Sequence, residues 1–198
     1  MSTLLLIHGG LWDEMDAERF WTRPGIADGL RRDGATVLAP DRLRRPADWL
    51  AEAAHLTAAL PGQPVAVVAG SNGCSAAVRL ALAVPQRIDR LLLAWPATPV
   101  DSSADLAARG ASPETVRAFL DGQTLRGVTD DELATLPMPV SVLSSVPDNP
   151  FHQRRTVDSL RRLLPGCAEL PGCPEPPRPG FEPHLDGLLA SIRSFASS

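Results

Sequence analysis

The sequence contains no lysine and no tyrosine, and its 19 basic residues are all arginines. Without lysine, the chain cannot form a Schiff base with a carbonyl substrate, anchor pyridoxal phosphate, or build the phosphate-binding loop that ends in lysine. Covalent catalysis therefore needs a different nucleophile. The formal net charge is only −4 and no basic run occurs, so we expect neither a nucleic-acid partner nor binding to a membrane surface.

Cysteine is also scarce, and Cys74, Cys167 and Cys173 form neither a CxxC pair nor an even disulfide set. The four histidines are equally dispersed, so no metal-ligand spacing occurs and we expect no metal site. Reduced thiols favour a cytoplasmic protein. The first apolar run, residues 4–7, is too short for a signal-peptide core or a membrane span.

Short apolar runs alternate with helix-like patterns along the chain. The runs are residues 3–7, 36–39, 65–69, 90–95, 140–144 and a weaker one at 167–170. Continuous short runs are typical of strands buried on both faces of a parallel sheet. The helical patterns between them are 16–33, 46–60, 75–84, 148–164 and 184–195. We predict the α/β class, with a doubly wound, mainly parallel six-stranded sheet in a three-layer sandwich and a single domain, 1–198.

Two segments interrupt this alternation. Residues 96–137 form a long insertion with short helical patterns near 113–120 and 130–136. Long insertions in compact domains usually cover a site, so we predict a small helical lid, with a peripheral decoration as the alternative. Residues 171–183 are too proline-rich for a helix or a central strand, and we interpret them as a stiff arm that leads to His184.

A candidate nucleophile follows the third apolar run, in the sequence Ala-Gly-Ser-Asn-Gly at residues 69–73. Small residues on both sides of a serine permit a sharp strand-to-helix turn, which exposes the hydroxyl group beside a helix N-terminus. The position that fits is Ser71. Ser75 and Cys74 are competitors, although they lie about one turn further into the helix, and an ordinary tight turn is the plain alternative.

The first apolar run ends in His8, Gly9 and Gly10. Paired glycines let the backbone approach a ligand closely, so we predict that N–H groups of Gly10 and Asn72 bind an oxyanion. We interpret His8 as a buried structural residue. The apolar side chains predicted to bind substrate are Leu11, Trp12 and Phe119, with a role in the core as the alternative.

The remaining candidates are an acid and a base. Asp148 follows the fifth run, where a carboxylate can hold an imidazole in one tautomer, although it can equally cap the next helix. His184 follows the last run, and the order Ser71, Asp148, His184 is the one this architecture favours. His152, four residues past Asp148, is a fallback base.

Five segments together resemble the α/β-hydrolase family over nearly the whole chain: "LLLIHGG", "VAVVAGSNGCSAAVRLAL", "RLLLAWP", "PVSVLSSVPDNPF" and "FEPHLDGLLASIRSF". The resemblance begins at the third strand of that family, without its leading antiparallel pair. It implies that Ser71 is the nucleophile, that His184 is the general base and acid, that Asp148 orients His184, and that Gly10 and Asn72 donate to the oxyanion.

The expected function is therefore a serine hydrolase that cleaves an ester, thioester or lactone of a small-molecule acyl substrate through an acyl-enzyme. No cofactor is needed for this chemistry. Two alternatives remain open: an acyl transferase or cyclase on the same scaffold, and a binding protein without activity. The sequence indicates neither the particular substrate nor the oligomeric state.

Overall fold

The computed structural model describes residues 2–197 and contains a six-stranded sheet. Its strands are β1 (Thr3–Ile7), β2 (Thr36–Leu38), β3 (Val65–Gly70), β4 (Ile88–Ala94), β5 (Val140–Ser145) and β6 (Ala168–Cys173). The order is β2-β1-β3-β4-β5-β6, with parallel pairing throughout. The predicted strands are confirmed, although β6 starts one residue later than expected and continues to Cys173.

The helices fall between the strands, as the alternation predicts. They are α1 (Ile26–Arg32), α2 (Trp49–Ala58), α3 (Gly73–Ala83), α4 (Ser103–Ala108), α5 (Pro113–Leu120), α6 (Asp130–Ala134), α7 (Arg154–Leu163) and α8 (Leu185–Ser197). The predicted helix 16–33 is divided into a π-helical turn, Glu18–Thr22, and α1. Gly25 lies at the break with φ +85°, a left-handed conformation that ends the first segment.

Two hydrophobic cores lie on opposite faces of the sheet. Alternate β1 side chains serve each face, because successive strand residues point in opposite directions: Leu5 and Ile7 pack against one core, and Leu4 and Leu6 against the other. The first core includes apolar residues of α2, α3 and α7, and the second includes those of α1 and α8. The three-layer α/β sandwich is therefore confirmed.

The chain reverses its winding direction between β1 and β3. After β1 it forms β2 on one side, and it then returns to form β3 on the other side of β1. Such a switch point leaves a crevice at the carboxyl ends of the two central strands. The loop that starts at His8 and the turn that holds Ser71 therefore lie next to each other.

Segment 96–137 contains α4, α5 and α6 and packs against the first core. Leu106, Phe119 and Leu133 of these helices are buried there. Within residues 2–197, no helix combines the length and the apolar character needed to cross a membrane.

Candidate active site

Ser71 occupies a strained turn between β3 and α3. Its φ is +55°, a left-handed conformation that is uncommon outside glycine, and its N–H donates to Ala94 O at 3.0 Å. The neighbouring glycines are sterically required. A Cβ at Gly73 would lie 2.5 Å from His8 O, and one at Gly70 would lie 2.5 Å from the Phe20 ring. Small residues on both sides of the serine therefore let the turn form.

The two competing nucleophiles point into the core. Cys74 is fully buried, and its Sγ lies 3.4 Å from Ala69 O. Burial raises the pKa of the Cys74 thiol far above its ordinary value, which opposes formation of a thiolate. Ser75 is also buried, whereas Ser71 is only partly buried. The accessible hydroxyl of this segment is therefore that of Ser71.

His152 is the imidazole that contacts Ser71. Its Nε2 lies 2.9 Å from Ser71 Oγ, and the side chain is 8% exposed. A turn after β5 places it there, because the His152 N–H donates to Asn149 O at 3.0 Å and reverses the chain before α7. This hydrogen-bond distance is the one expected between a nucleophile and its general base.

Glu175 lies behind His152, two residues after the end of β6. Its Oε1 is 3.1 Å from His152 Nδ1, although that ring nitrogen is not aligned for a linear hydrogen bond in this structure. Oε1 also accepts from Asn149 Nδ2 at 3.1 Å and pairs with Arg178 Nε at 2.7 Å, while Oε2 accepts from Ser145 Oγ at 2.7 Å. The carboxylate is thus held from several directions.

The same surroundings determine the charge of Glu175. Burial favours the neutral acid, but the contact with His152 and the hydrogen bond from Ser145 outweigh burial and lower the pKa of Glu175 to about 2. The group is therefore an anion at neutral pH and can stabilise a protonated His152.

The predicted base and acid, His184 and Asp148, are corrected by this geometry. His184 is exposed at the end of a 3-10 turn, Glu182–His184, that leads into α8. Asp148 is also exposed, and its Oδ2 accepts from the backbone N–H of Arg154 at 3.4 Å, at the start of α7. The latter contact agrees with the helix-capping alternative.

The observed group has the chain order Ser71, His152, Glu175. Histidine comes from the loop after β5 and the acid from the loop after β6, which reverses the expected order of acid and histidine. Sequence reasoning kept His152 only as a fallback and missed Glu175. In the sequence, Glu175 could have been recognised as a carboxyl residue that comes shortly after the last apolar run.

The loop after β1 is fixed by a buried ion pair. Arg42 Nε and Nη2 each lie 2.7 Å from a carboxylate oxygen of Glu52. Arg42 Nη1 donates to the carbonyl oxygens of His8, Gly9 and Gly10 at 2.9 to 3.1 Å. This one guanidinium therefore sets the orientation of successive peptide groups beside Ser71.

His8 completes that loop as a structural residue. Its Nε2 accepts the backbone N–H of Arg42 at 2.9 Å, and its Nδ1 lies 2.8 Å from Gly9 O. Burial, followed by the nearby Arg42 charge, lowers the pKa of His8 to about 4. The imidazole is therefore neutral, with Nδ1 as the donor.

A cavity of about 320 Å³ opens at Ser71, and its lining includes Gly10, Asn72 and His152. Of the side chains predicted to bind substrate, Leu11 lines this cavity. Trp12 and Phe119 do not line it. Trp12 donates from Nε1 to Pro46 O at 2.9 Å, and Phe119 is fully buried against Trp49, with ring centroids 4.8 Å apart.

Segment 96–137 supplies part of the lining of this cavity. Its contribution includes Leu106, Arg109 and Arg126. Arg126 also donates from Nη1 to Asn72 Oδ1 at 2.8 Å, so the segment is connected to the residue next to Ser71.

Comparison with solved structures shows the fold of this chain. A meta-cleavage product hydrolase from Pseudomonas fluorescens is 18% identical and matches with a TM-score of 0.68, covering 100% of this chain and 90% of that one. An esterase from a Rhodococcus species is 14% identical, with a TM-score of 0.69 and coverage of 100% and 90%. The thioesterase domain from the curacin biosynthetic pathway is 15% identical, with a TM-score of 0.69 and coverage of 99% and 90%.

These similarities show that the chain has the α/β-hydrolase fold. No protein-family model matches the sequence. No curated protein matches it by sequence either.

Proposed function

We propose that this protein is a serine hydrolase that cleaves a carboxylic ester, thioester or lactone through an acyl-enzyme. The contact that carries the proposal is the 2.9 Å distance between Ser71 Oγ and His152 Nε2. The buried carboxylate of Glu175 behind His152 supports it. A nucleophile, a base and an orienting acid in contact are the parts that acyl transfer to serine requires.

In the proposed reaction, Ser71 Oγ attacks the carbonyl carbon while His152 Nε2 accepts the hydroxyl proton. The tetrahedral intermediate collapses, the bond to the leaving oxygen or sulfur breaks, and His152 returns the proton to that leaving group. Water then attacks the acyl-enzyme, again losing a proton to His152, and the carboxylic acid departs as Ser71 is protonated. Glu175 stays ionised throughout and stabilises the imidazolium.

We propose that N–H groups of Gly10 and Asn72 donate to the substrate oxygen on which negative charge develops in the transition state. Both residues line the cavity at Ser71, and α3 begins at Gly73, so its N-terminus favours an anion there. Donors of this kind contribute on the order of 2.7–4 kcal/mol each in another serine hydrolase.

The cavity volume of about 320 Å³ is at the lower end of the range for small-molecule sites, which supports a small acyl substrate. Leu11, Leu106 and Phe151 give it apolar walls. We propose that segment 96–137 acts as a lid, since it contributes several of these lining residues.

The binding-protein alternative would be supported if Asp148 or His184 pointed away from Ser71. Neither residue lines the cavity at Ser71, whereas His152 and Glu175 both do. The contacts of His152 with Ser71 and with Glu175 therefore favour an enzyme. An acyl transferase remains a candidate because the segment that lines the cavity would also restrict water. Product analysis with and without an added alcohol or amine acceptor distinguishes transfer from hydrolysis.

Labelling with a fluorophosphonate probe, followed by intact-protein mass spectrometry, tests the proposal. The wild-type protein should gain one adduct that maps to Ser71, and Ser71→Ala should gain none. Ser75→Ala is the matched control, since this buried neighbour should be dispensable for labelling. Absence of an adduct on folded wild-type protein, or its persistence in Ser71→Ala, would refute the proposal.

A further inference from the structure

Arg126 is a buried cation at the cavity, with no carboxylate partner among residues 2–197. It is 3% exposed and lines the same cavity as Ser71. Its Nη1 donates to Asn72 Oδ1 at 2.8 Å, and its Nη2 donates to Val100 O at 2.9 Å and to Ser102 Oγ at 3.3 Å. All three acceptors are uncharged, so the guanidinium is hydrogen-bonded but its positive charge is not neutralised.

The other arginines at this cavity differ in this respect. Arg109 lies 3.8 Å from Asp13, and Arg178 lies 2.7 Å from Glu175. Asp105 also lines the cavity, but it is exposed, and in the described chain it forms no ion pair with Arg126. The available acids therefore leave Arg126 without a counter-charge.

The uncompensated charge is energetically costly. Burial alone lowers the pKa of Arg126, but a guanidinium remains protonated under all ordinary conditions. Its Nε has no hydrogen-bond partner within residues 2–197, and a buried unpaired charge is normally selected against unless an anion completes it. Three of its five N–H groups are used by Asn72, Val100 and Ser102, so capacity to donate remains.

We propose that Arg126 binds a carboxylate of the substrate, so that the enzyme acts on esters, thioesters or lactones that carry an acid group near the reacting carbonyl. This inference rests on the proposed function. Its geometric basis is Asn72, which follows Ser71 in the chain and is in direct contact with Arg126. The carboxylate belongs to the acyl part or to the leaving group, and each source can be tested separately.

The test uses pairs of 4-nitrophenyl phosphonate probes that differ only in a terminal carboxylate or carboxamide. Ser71 Oγ forms a bond to phosphorus as the bond to 4-nitrophenolate breaks, so the adduct reports on Ser71 directly. One pair carries the variable group on the alkyl chain, which mimics the acyl part, and the other carries it on the alkoxy group, in a short series of lengths. The second-order rate of labelling is measured by intact-protein mass spectrometry.

We expect the carboxylate probe of one pair to label the wild-type protein about tenfold faster or more than its carboxamide twin, as for a hydrogen bond to a charged group. Arg126→Met should abolish this preference, and Arg126→Lys should keep part of it. Arg117→Met is the matched control, since Arg117 is exposed on α5 and does not line the cavity. The preference is the ratio of the labelling rates of the two twin probes on the same variant. A displacement of Asn72 that slows both probes equally therefore leaves this ratio unchanged.

The outcomes separate the two proposals. Equal labelling by both twins in both pairs overturns the role of Arg126 and leaves the serine hydrolase intact. A preference that persists in Arg126→Met also overturns it. Absence of labelling by any probe on folded protein refutes the proposed function and this inference together. If circular dichroism shows that Arg126→Met is unfolded, Arg126→Gln replaces it in the comparison.

Discussion

Glu175 and His152 follow two adjacent strands, β6 and β5, and Glu175 Oε1 faces His152 Nδ1 at 3.1 Å. Neighbouring parallel strands end at the same edge of a sheet, so their loops can combine two side chains that are distant in sequence. In the proposed mechanism, an anion at this position favours the His152 tautomer that is protonated at Nδ1, which leaves Nε2 free to accept the proton of Ser71.

Replacing Glu175 by Gln should therefore reduce kcat by on the order of 10²- to 10⁴-fold, because the neutral amide neither fixes the tautomer nor stabilises the imidazolium. Steady-state kinetics on an activated ester measures this change. Asp148→Asn is the matched control, since Asp148 is exposed and does not line the cavity at Ser71. A larger loss in Asp148→Asn than in Glu175→Gln would contradict the assignment.

Glu52→Gln should destabilise the protein by about 3–5 kcal/mol, because it leaves the buried Arg42 cation without its partner. The shift of the urea unfolding midpoint measures this. Glu14→Gln breaks an exposed ion pair with Arg44 and should change stability by less than about 1 kcal/mol. Similar effects of the two substitutions would show that the Arg42–Glu52 pair does not stabilise the loop after β1.

Burial of His8 should make the folded protein less stable as the pH falls. Its pKa is lowered from 6.5 to about 4 in the folded protein, so over this interval the unfolded chain binds more protons at His8 and acidification favours unfolding. Between about pH 7 and about pH 5, His8 should account for a loss of roughly 2 kcal/mol.

Urea denaturation at several pH values measures this effect. In His8→Gln the fall of the unfolding free energy over that interval should be smaller by the stated amount, since glutamine does not titrate. Measurements stay above the ordinary pKa of 4.5 for Glu175, because the stabilisation from that carboxylate is lost as pH falls from 4.5 towards about 2. An unchanged pH dependence in His8→Gln would contradict the buried neutral imidazole.

Gly73→Ala should destabilise the protein by about 1–3 kcal/mol and slow labelling of Ser71, because the new Cβ would push α3 away from the backbone of β1 and its loop. Thermal unfolding and probe labelling measure the two effects. Gly62→Ala is the control, since nothing lies within 4 Å of a Cβ at that position. If Gly73→Ala behaves like Gly62→Ala, close packing of the turn is not needed.

Ser71 and its turn could be predicted from the sequence because the steric requirement is local. Small residues must stand beside the serine whatever the rest of the chain does, and the glycines at 70 and 73 fulfil this. The position of His8 and Gly10 in the loop after β1 could also be predicted from the sequence, because these residues directly follow a clearly apolar run.

The residues that accompany Ser71 in the site, His152 and Glu175, could not be predicted from local sequence in this way, because tertiary structure brings them together. His152 reaches Ser71 only because the chain turns at Asn149, which is a property of the folded loop. Glu175 was missed because β6 was expected to end at residue 170. As an edge strand, β6 instead tolerates Pro171 and continues to Cys173, which places Glu175 just past the strand end.

The most direct test of the site compares His152→Ala with His184→Ala in fluorophosphonate labelling of Ser71, with folding checked by circular dichroism. If His152 is the base, labelling of His152→Ala should slow by at least about 10³-fold, while His184→Ala should label at the wild-type rate. Loss of labelling in His184→Ala with retention in His152→Ala would contradict the group formed by Ser71, His152 and Glu175.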